Sequence, residues 1–588
     1  MEVIQNFIFP SEKTLASKEM FFRFEEGIKE QNNELLLSQD AQVKFDTYYN
    51  ALSAAFWKKK VGISSVELLI SGAGVINVEL CMLDSNDCET VLEKRELTLT
   101  EECQTIFRVS FEGLDNVLLY PKITSSAVHS TITGMSWITN QSKRRKVKLG
   151  ISITHFDRKA YVIPAIKRIK EALLDNPEWQ EKIDLVVVDN SKNITSEESL
   201  GVKIIPNENT GGSGGFMRGL LHYKNETDVT HVLFMDDDAS LEIESVKRTY
   251  QILSFAEKGN TSVGASLFYE SEPDKLIERG AYFDKKFVWM ANYRDVSPIN
   301  AKEILFEETK EERIDYAGWW FFAFPIAFAQ KMTLPFFVRG DDVSFGFLND
   351  FNILLTNGIA CYAEDFDTKM SPMVSYVNSR NKMIVDFLMN RSLWSVLQFH
   401  LGVNLSMLLA MRMGYVNIGR KAFQDFLNLS AEWMIEHANL SAMFSQLNEL
   451  AVINLPRETD LSSYSKREEA ENKFEISLEE TRAVLIKSYF KALFLAKKKA
   501  LFVSENRYTV DTERIVGYQN VFYGTIAGEN ATGYVAKFSR LRLLKYSFIL
   551  IGDAVRLVFR YRKLRQFFEA HINDLTSEAA WRKILGLD

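Results

Sequence analysis

The sequence is poor in cysteine, has no long apolar run and opens on nothing that reads as an export signal. Its four cysteines, Cys81, Cys88, Cys103 and Cys361, form no C-x-x-C pair in 588 residues. That excludes a disulfide framework or a structural zinc motif and fits a reducing compartment. The start, MEVIQNFIFPSEK, lacks a basic segment followed by an apolar one, so a cleaved signal peptide is not expected. The longest apolar stretch, YAGWWFFAFPIAFA from Tyr316, is shorter than the ~20 residues of a spanning helix and contains Pro325. Repeats and low-complexity tracts are missing as well, which sets aside disorder. An excess of positive charge is also absent: the net charge of −8 argues against a whole-protein role in nucleic-acid binding. These absences leave a folded cytoplasmic protein, at most peripheral to a membrane.

The length predicts several cores, and three regions differ in pattern. Residues 1–145 hold β-branched and aromatic runs such as VELLI, GVINVELCML and TIFRVSFEG between Gly, Asn and Asp, the pattern of an all-β sandwich. The basic connector NQSKRRKVKLG marks a boundary. Over 146–395, short unbroken apolar runs (LGISITHF, IDLVVVDN, HVLFMDDD) alternate with amphipathic segments. This predicts an α/β domain with a mostly parallel sheet, whose ligands lie beyond the carboxyl ends of the strands. Residues 396–588 read as helical, including KREEAENKFEISLEETRAVLIKSYFKALFLAKKKALF. Near the end, Lys537 to Arg565 carries nine Lys or Arg against one acid, Asp553, among Leu, Phe, Ile and Tyr. Such a segment suits an anionic lipid surface or, equally, a solvated helix face.

The chemistry-bearing pieces cluster in the middle region. In HVLFMDDDAS three aspartates follow a buried strand, although two carboxylates about 4 Å apart repel by roughly 4 kcal/mol at an effective dielectric near 20. If the strand continues, Asp236 and Asp238 point the same way and Asp237 the other. Two hard carboxylates on one side suit Mg²⁺ or Mn²⁺, with a bound diphosphate completing the shell; the alternative is an acidic turn capping the next helix. NENTGGSGGFMRGL reads as a Gly-rich loop running into a helix, open to an anion or simply a turn. It matches neither the dinucleotide fingerprint nor the P-loop. FFVRGDDVSFG places Asp341 and Asp342 in an expected loop, as proton acceptor for an attacking hydroxyl or as solvated turn residues beside Arg339. Trp319 and Trp320 suit a sugar face, though in so apolar a run tryptophans are more often core.

The order of these parts resembles the family 2 inverting glycosyltransferases of GT-A fold, and within them the bacterial galactofuranosyltransferases that build galactan. The likeness rests on THFDR (154–158), NTGGSGGFMRG (209–219), FMDDDAS (234–240), WW (319–320), RGDDVSFG (339–346) and YVNSRNKMI (376–384). It is close over about 150–390 and loose outside.

The resemblance implies that Thr154 and Arg158 hold the uridine end of a UDP-sugar and Asp189 its base or ribose. Asn209, Gly211, Gly212, Gly214 and Gly215 would also meet the donor, with Asp237 beside the sugar. Asp236 and Asp238 would bind the divalent ion, Asp342 would be the general base, Asp341 would orient the acceptor, and Trp319 and Trp320 would line its site. One departure stands out. Where the family usually has Trp-His-Glu, this chain reads Tyr362, Ala363, Glu364; the histidine that completes the metal site is missing, leaving Glu364 or Asp365 as substitutes. The expected activity is transfer of galactofuranose from UDP-galactofuranose to a glycan or lipid-linked glycan acceptor, with Mn²⁺ or Mg²⁺. The expected setting is the inner face of the cell membrane, with a homo-oligomer among the expected assemblies and no nucleic acid. The rivals are another UDP-hexose on the same fold, a catalytically silent carbohydrate-binding relative, and a nucleotidyltransferase.

Overall fold

The computed structural model describes residues 1–588 except 11–13, 25, 32, 285–287, 365–370, 391, 452–456, 461–464, 467–477, 495–497, 505–514 and 528–529. Its N-terminal part is an antiparallel β structure built on one long strand, Ser65–Leu83. The first half of that strand pairs with Gln104–Ser110 and His129–Thr139, and the second half with Glu89–Leu99 and Leu118–Ser125. One strand thereby serves both layers of a sandwich, as the alternating β-branched runs predict.

The α/β region contains eleven strands, β1 (Leu149–His155), β2 (Ile183–Asp189), β3 (Lys203–Pro206), β4 (His231–Asp236), β5 (Thr261–Gly264), β6 (Ser266–Tyr269), β7 (Glu272–Asp284), β8 (Val288–Val296), β9 (Phe322–Pro325), β10 (Asn352–Leu354) and β11 (Ala360–Ala363). Its helices include α1 (Lys159–Ile169), α2 (Gly211–Glu226), α3 (Ile243–Phe255), α4 (Asp341–Leu348) and α5 (Pro372–Asn390). The main sheet runs β3-β2-β1-β4-β9-β5-β10, with β1, β2, β3 and β4 parallel and β9 antiparallel to both its neighbours. All seven residues of β1 are buried, because strands covered on both faces need side chains that tolerate burial on both. Chain order builds outward from β1 to β3 and then returns to β4 on the other side of β1. That reversal opens a crevice at the carboxyl ends of β1 and β4. A second sheet, β8-β7-β6-β11, stands beside it.

Sandwich and α/β region share one continuous hydrophobic core, and polar bonds fix their relation. The buried Asn357 donates to the carbonyls of Tyr48 (3.0 Å) and Ala51 (2.8 Å), and the hydroxyls of Tyr49 and Tyr362 meet at 2.7 Å. Glu244 on α3 accepts the backbone N–H of Asn6 at 2.8 Å.

The C-terminal region packs α6 (Leu393–Leu409), α7 (Met413–Leu427), α8 (Leu478–Phe494), α9 (Arg540–Leu575) and α10 (Glu578–Ile584). It also contains a five-stranded sheet formed by 457–460, 465–466, 498–504, 518–527 and 530–537, which the helical expectation did not include. The run expected to be helical to Phe502 is a helix over Leu478–Phe494 and a strand over Lys498–Ser504. The strand pairs in parallel with Tyr518–Ala527, so tertiary pairing overrides the helical spacing of the sequence. Among the described residues no helix is long and apolar enough to cross a membrane.

Candidate active site

β4 stops at Asp236, and Asp237 and Asp238 occupy the turn that follows. Strand alternation therefore does not set their directions, contrary to expectation; the turn does. Asp237 is nearly buried, and its Oδ2 faces His155 Nδ1 at 3.0 Å and accepts the N–H of Phe156 at 3.2 Å. This joins the ends of β1 and β4 across the crevice. The other ring nitrogen of His155 faces Asn193 Oδ1 at 3.1 Å. With oxygen acceptors on both sides, the ring is suited to carry two protons. Burial works against that charge, but the bonds to Asp237 and Asn193 and the charges of Asp237 and Asp189 outweigh it and raise the His155 pKa. Asp238 pairs with Arg158, the residue that precedes α1. The like charges noted in the sequence are thus met by an imidazole and a guanidinium.

Glu364 lies across this cluster, accepting from the Tyr161 hydroxyl at 3.0 Å and standing 3.8 Å from the Arg158 guanidinium. Among the described residues no group of three or more His, Cys, Asp or Glu side chains is arranged to hold a metal; Arg158 engages both Asp238 and Glu364. Ala363 is buried at the end of β11 opposite Tyr269, and Asp365 lies outside the described residues. Asp236 and Asp238 still share one locality: after burial, their charges are what push the Cys361 thiol pKa well up. Two neighbouring carboxylates fit a hard divalent ion that takes its remaining oxygens from a diphosphate and water.

Asp189 ends β2 beside His155 in register. Its Oδ1 accepts the N–H groups of Ser191 (2.9 Å) and Lys192 (2.8 Å) and the Ser191 hydroxyl (3.0 Å), and its Oδ2 those of Asn193 (2.8 Å) and Ile194 (2.9 Å). Burial raises its pKa, yet these bonds more than offset that and lower it. Both oxygens hold the loop that carries Asn193 to His155. Thr154 sits at the end of β1 opposite Asp236, its buried hydroxyl without a hydrogen-bond partner.

The Gly-rich segment is the first turns of α2 rather than a loop. Gly211 has φ +70° and a Cβ there would fall 2.0 Å from the Phe337 carbonyl oxygen, so only glycine lets α2 begin against that strap. A Cβ on Gly214 would strike Thr210 and one on Gly215 would strike Thr154. Gly215 therefore lets α2 press on β1, and Gly214 lets its first turn close on Thr210. Gly212 is the open one: its imagined Cβ is 3.9 Å from Asp341 Oδ2 and Val338. Asn209 caps the entry, its Oδ1 accepting the N–H of Gly211 at 3.1 Å.

Asp341 and Asp342 form the first turn of α4, not a loop. The turn before them is sharp, with Arg339 at φ +66° and Gly340 at φ +81°. The fully buried Asn381 on α5 holds it by donating to the carbonyls of Val338 (3.1 Å) and Arg339 (2.7 Å). Ser213 on α2 donates to Asp341 Oδ2 at 2.8 Å, tying the start of α2 to the acid pair. Burial first, and then the Asp341 charge, pushes the Asp342 pKa up to about 7. Glu278 on β7 is buried too, and burial followed by the Asp342 charge pushes it up to about 8.

Trp319 is buried against Phe216, Phe234 and Phe345, with ring centroids 5.0 to 5.6 Å apart. It belongs to the core, the alternative that the apolar run around it favours. Trp320 keeps partial exposure, its ring lying over Gly318. Three residues that build this site went unassigned in the sequence. His155 and Asn381 sit inside the THFDR and YVNSRNKMI segments, so their positions were signalled though their roles were not. Glu278 had no signal, because only the pairing of the second sheet brings it near Asp342.

Comparison with known proteins points to the same part of the chain. The profile of the glycosyl transferase family 2 matches residues 151–325. The galactofuranosyltransferase GlfT2 of Mycobacterium tuberculosis is 24% identical over 430 residues, 67% of this chain and 66% of that protein. Its counterpart from Mycolicibacterium smegmatis is 23% identical over 426 residues, covering 67% and 65%. The match thus spans just under two thirds of each curated relative's own length. Among solved structures, glucosyl-3-phosphoglycerate synthase from M. tuberculosis covers 42% of this chain and 80% of its own at 15% identity, with a TM-score of 0.27, too slight a likeness to bear on function. Residues 151–325 match the glycosyl transferase family 2 model, and the chain is similar over two thirds of its length to galactofuranosyltransferases.

Proposed function

We propose that the chain is an inverting glycosyltransferase that moves galactofuranose from UDP-galactofuranose to a hydroxyl of a glycan acceptor, free or lipid-linked, at the cytoplasmic face of the membrane. The observation that carries this reading is the Ser213–Asp341 bond of 2.8 Å. It couples the start of α2, at the donor end of the sheet, to the acid pair suited to activating an acceptor. Donor specificity is drawn from the relatives' name, galactofuranosyltransferase.

In this reading Asp236 and Asp238 hold a divalent ion, Mn²⁺ or Mg²⁺, and Arg158 turns from Asp238 toward the diphosphate. A bound ion supplies positive charge against which UDP departs. Asp237, braced by His155, faces the donor sugar. Gly212 leaves room at the start of α2, where unpaired N–H groups favour an anion. Asp342, ionised, takes the proton of the acceptor hydroxyl as its oxygen attacks the anomeric carbon from the side opposite UDP. A single displacement of this kind inverts that carbon. Asp341 is anchored by Ser213 and fixes the turn on which Asp342 sits, while Trp320 is the aromatic available to a sugar face.

The test is incubation of the purified full chain with a panel of UDP-hexoses, a soluble glycan acceptor and Mn²⁺. Product mass should show addition of a hexose from UDP-galactofuranose and release of UDP. Transfer from another UDP-hexose alone would move the reading to that donor, and release of pyrophosphate would replace it with nucleotidyl transfer. Ala363 favours a second reading, a catalytically silent carbohydrate-binding relative. Turnover absent in the wild type but gained by Ala363→His would establish that reading.

A further inference from the structure

Strand β7 is irregular at one place, and the irregularity decides where an acid points. Glu278 pairs with Tyr293 of β8 and Ala281 pairs with Ala291, so β7 carries one more residue than β8 over this stretch, with Gly280 at φ +70° taking up the extra step. Tyr293 and Ala291 are two apart and face one side of β8, and their partners Glu278 and Ala281 face that same side. At its other edge Ala281 forms an antiparallel bridge with Tyr316, whose side chain therefore shares the face. Tyr316 in turn packs on α4: a Cβ on Gly346 would fall 2.5 Å from the Tyr316 Cβ, and Gly346 lies one turn beyond Asp342 on the same side of that helix. Glu278, Tyr316 and Asp342 thus converge on one spot, with the small Ala281 between the first two.

All three have hydrogen-bonding capacity to spare. Glu278 is 7% exposed and Tyr316 6%, yet among the described residues neither the carboxyl nor the phenol hydroxyl has a hydrogen-bond partner, and neither polar end is sealed from solvent. Asp342 accepts the N–H of its own neighbour Val343 at 2.8 Å. The three groups act on one another. After burial, the Asp342 charge and then that of Glu278 push the Tyr316 phenol well up, and burial followed by the Asp342 charge pushes Glu278 up to about 8. At neutral pH Glu278 therefore carries a proton, and it offers an O–H donor beside a carbonyl acceptor. Polar groups left without partners in a partly closed site cost free energy that a hydrogen-bonding ligand recovers. The face opens to solvent at the half-exposed Tyr293.

We propose that Glu278, with the hydroxyl of Tyr316, holds a second hydroxyl of the acceptor beside the one that Asp342 activates, so that the acceptor is selected as a diol with its hydroxyls on neighbouring carbons. The inference rests on the transferase reading and adds a specificity-determining residue to it. The attacking hydroxyl gives its proton to Asp342 and forms the new bond. The neighbouring hydroxyl donates to the Glu278 carbonyl oxygen, accepts from the Tyr316 hydroxyl and keeps its proton. A second ionised carboxylate at this place would oppose the charge that Asp342 needs in order to act as a base. The neutral acid adds a contact without adding charge.

The experiment uses the full-length chain with UDP-galactofuranose, Mn²⁺ and a soluble glycan acceptor, alongside derivatives of that acceptor that each lack one hydroxyl of the terminal sugar. With the wild type, one derivative should receive no sugar because the attacking hydroxyl is gone, and the derivative lacking the adjacent hydroxyl should lose about tenfold in kcat/KM. Glu278→Leu should cost the parent acceptor about tenfold and the adjacent-deoxy derivative less than about threefold, since the contact that leucine removes is already gone there. Glu278→Gln keeps a donor and an acceptor without charge and should retain the preference for the parent. The wild-type comparison decides independently of how either variant folds. Equal wild-type kcat/KM on the parent and the adjacent-deoxy derivative, or equal losses on both with Glu278→Leu, would overturn the inference and leave the transferase reading standing. Failure to transfer to any acceptor from any UDP-hexose would overturn both.

Discussion

At the end of β4 each paired acid meets a basic side chain, Asp237 against His155 and Asp238 against Arg158. At the start of α4, Asp341 and Asp342 have a serine hydroxyl and backbone N–H groups as their bonded partners, with Glu278 buried nearby. The acids of the first cluster are bonded to basic side chains. The second is kept short of compensation, so that its pKa values rise. Two similar dipeptides thus sit in different surroundings, one among basic side chains and the other buried so that it can exchange a proton.

That contrast can be broken at several points. Asp342→Asn keeps the shape but removes the proton acceptor, so kcat should fall by about 10³-fold while UDP affinity stays unchanged; equal loss of affinity would deny Asp342 its role. Joint Asp236→Asn and Asp238→Asn should act the other way round, weakening Mn²⁺-dependent UDP binding by roughly 100-fold in calorimetry. If titration shows nucleotide binding untouched, the cation is held elsewhere. A pH series sharpens the difference further. Asp342 works only when ionised, and its pKa is about 7, so activity should rise with pH through that point. Below it, activity should drop about tenfold per unit, and a plateau extending down to pH 5 would show that the carboxyl is not raised. The raised His155 pKa gives the first cluster a stability term of the opposite sense. That term is full below about 6.5, the unfolded value, and is lost as pH rises through the folded one, so His155→Gln should flatten the melting temperature against pH over that window. The smallest effect belongs to the interface that supports β11: Tyr49→Phe removes the 2.7 Å hydroxyl contact with Tyr362 and should cost about 1 kcal/mol in denaturant unfolding, with transfer little changed.

Much of this architecture is legible from local pattern. Unbroken apolar runs mark β1, β2 and β4 because strands buried on both faces admit little else, and the acids at their ends mark the crevice. The glycines of α2 mislead, since a run that reads as a flexible loop is a helix start whose missing side chains let it press on Thr154 and Phe337. Trp319 was legible on both sides, because a ring suited to a sugar is equally suited to Phe216 and Phe234 and the apolar run around it favours the second. Glu278 and the C-terminal sheet were out of reach, for both depend on pairings between distant segments that no local periodicity encodes. The saturation of Asp189 by its own loop is a third such case: the carboxylate is visible in the sequence, but the hydrogen bonds that occupy it are not.

The indole of Trp581 reaches a carbonyl 248 positions earlier in the chain. During synthesis, at about 5–20 residues per second, the turn bearing the acid pair must therefore wait many seconds for its last brace. A ribosome-bound fragment that already contains Asp341 and Asp342 would still lack the indole that holds Thr333, whose hydroxyl in turn holds the Asp341 carbonyl.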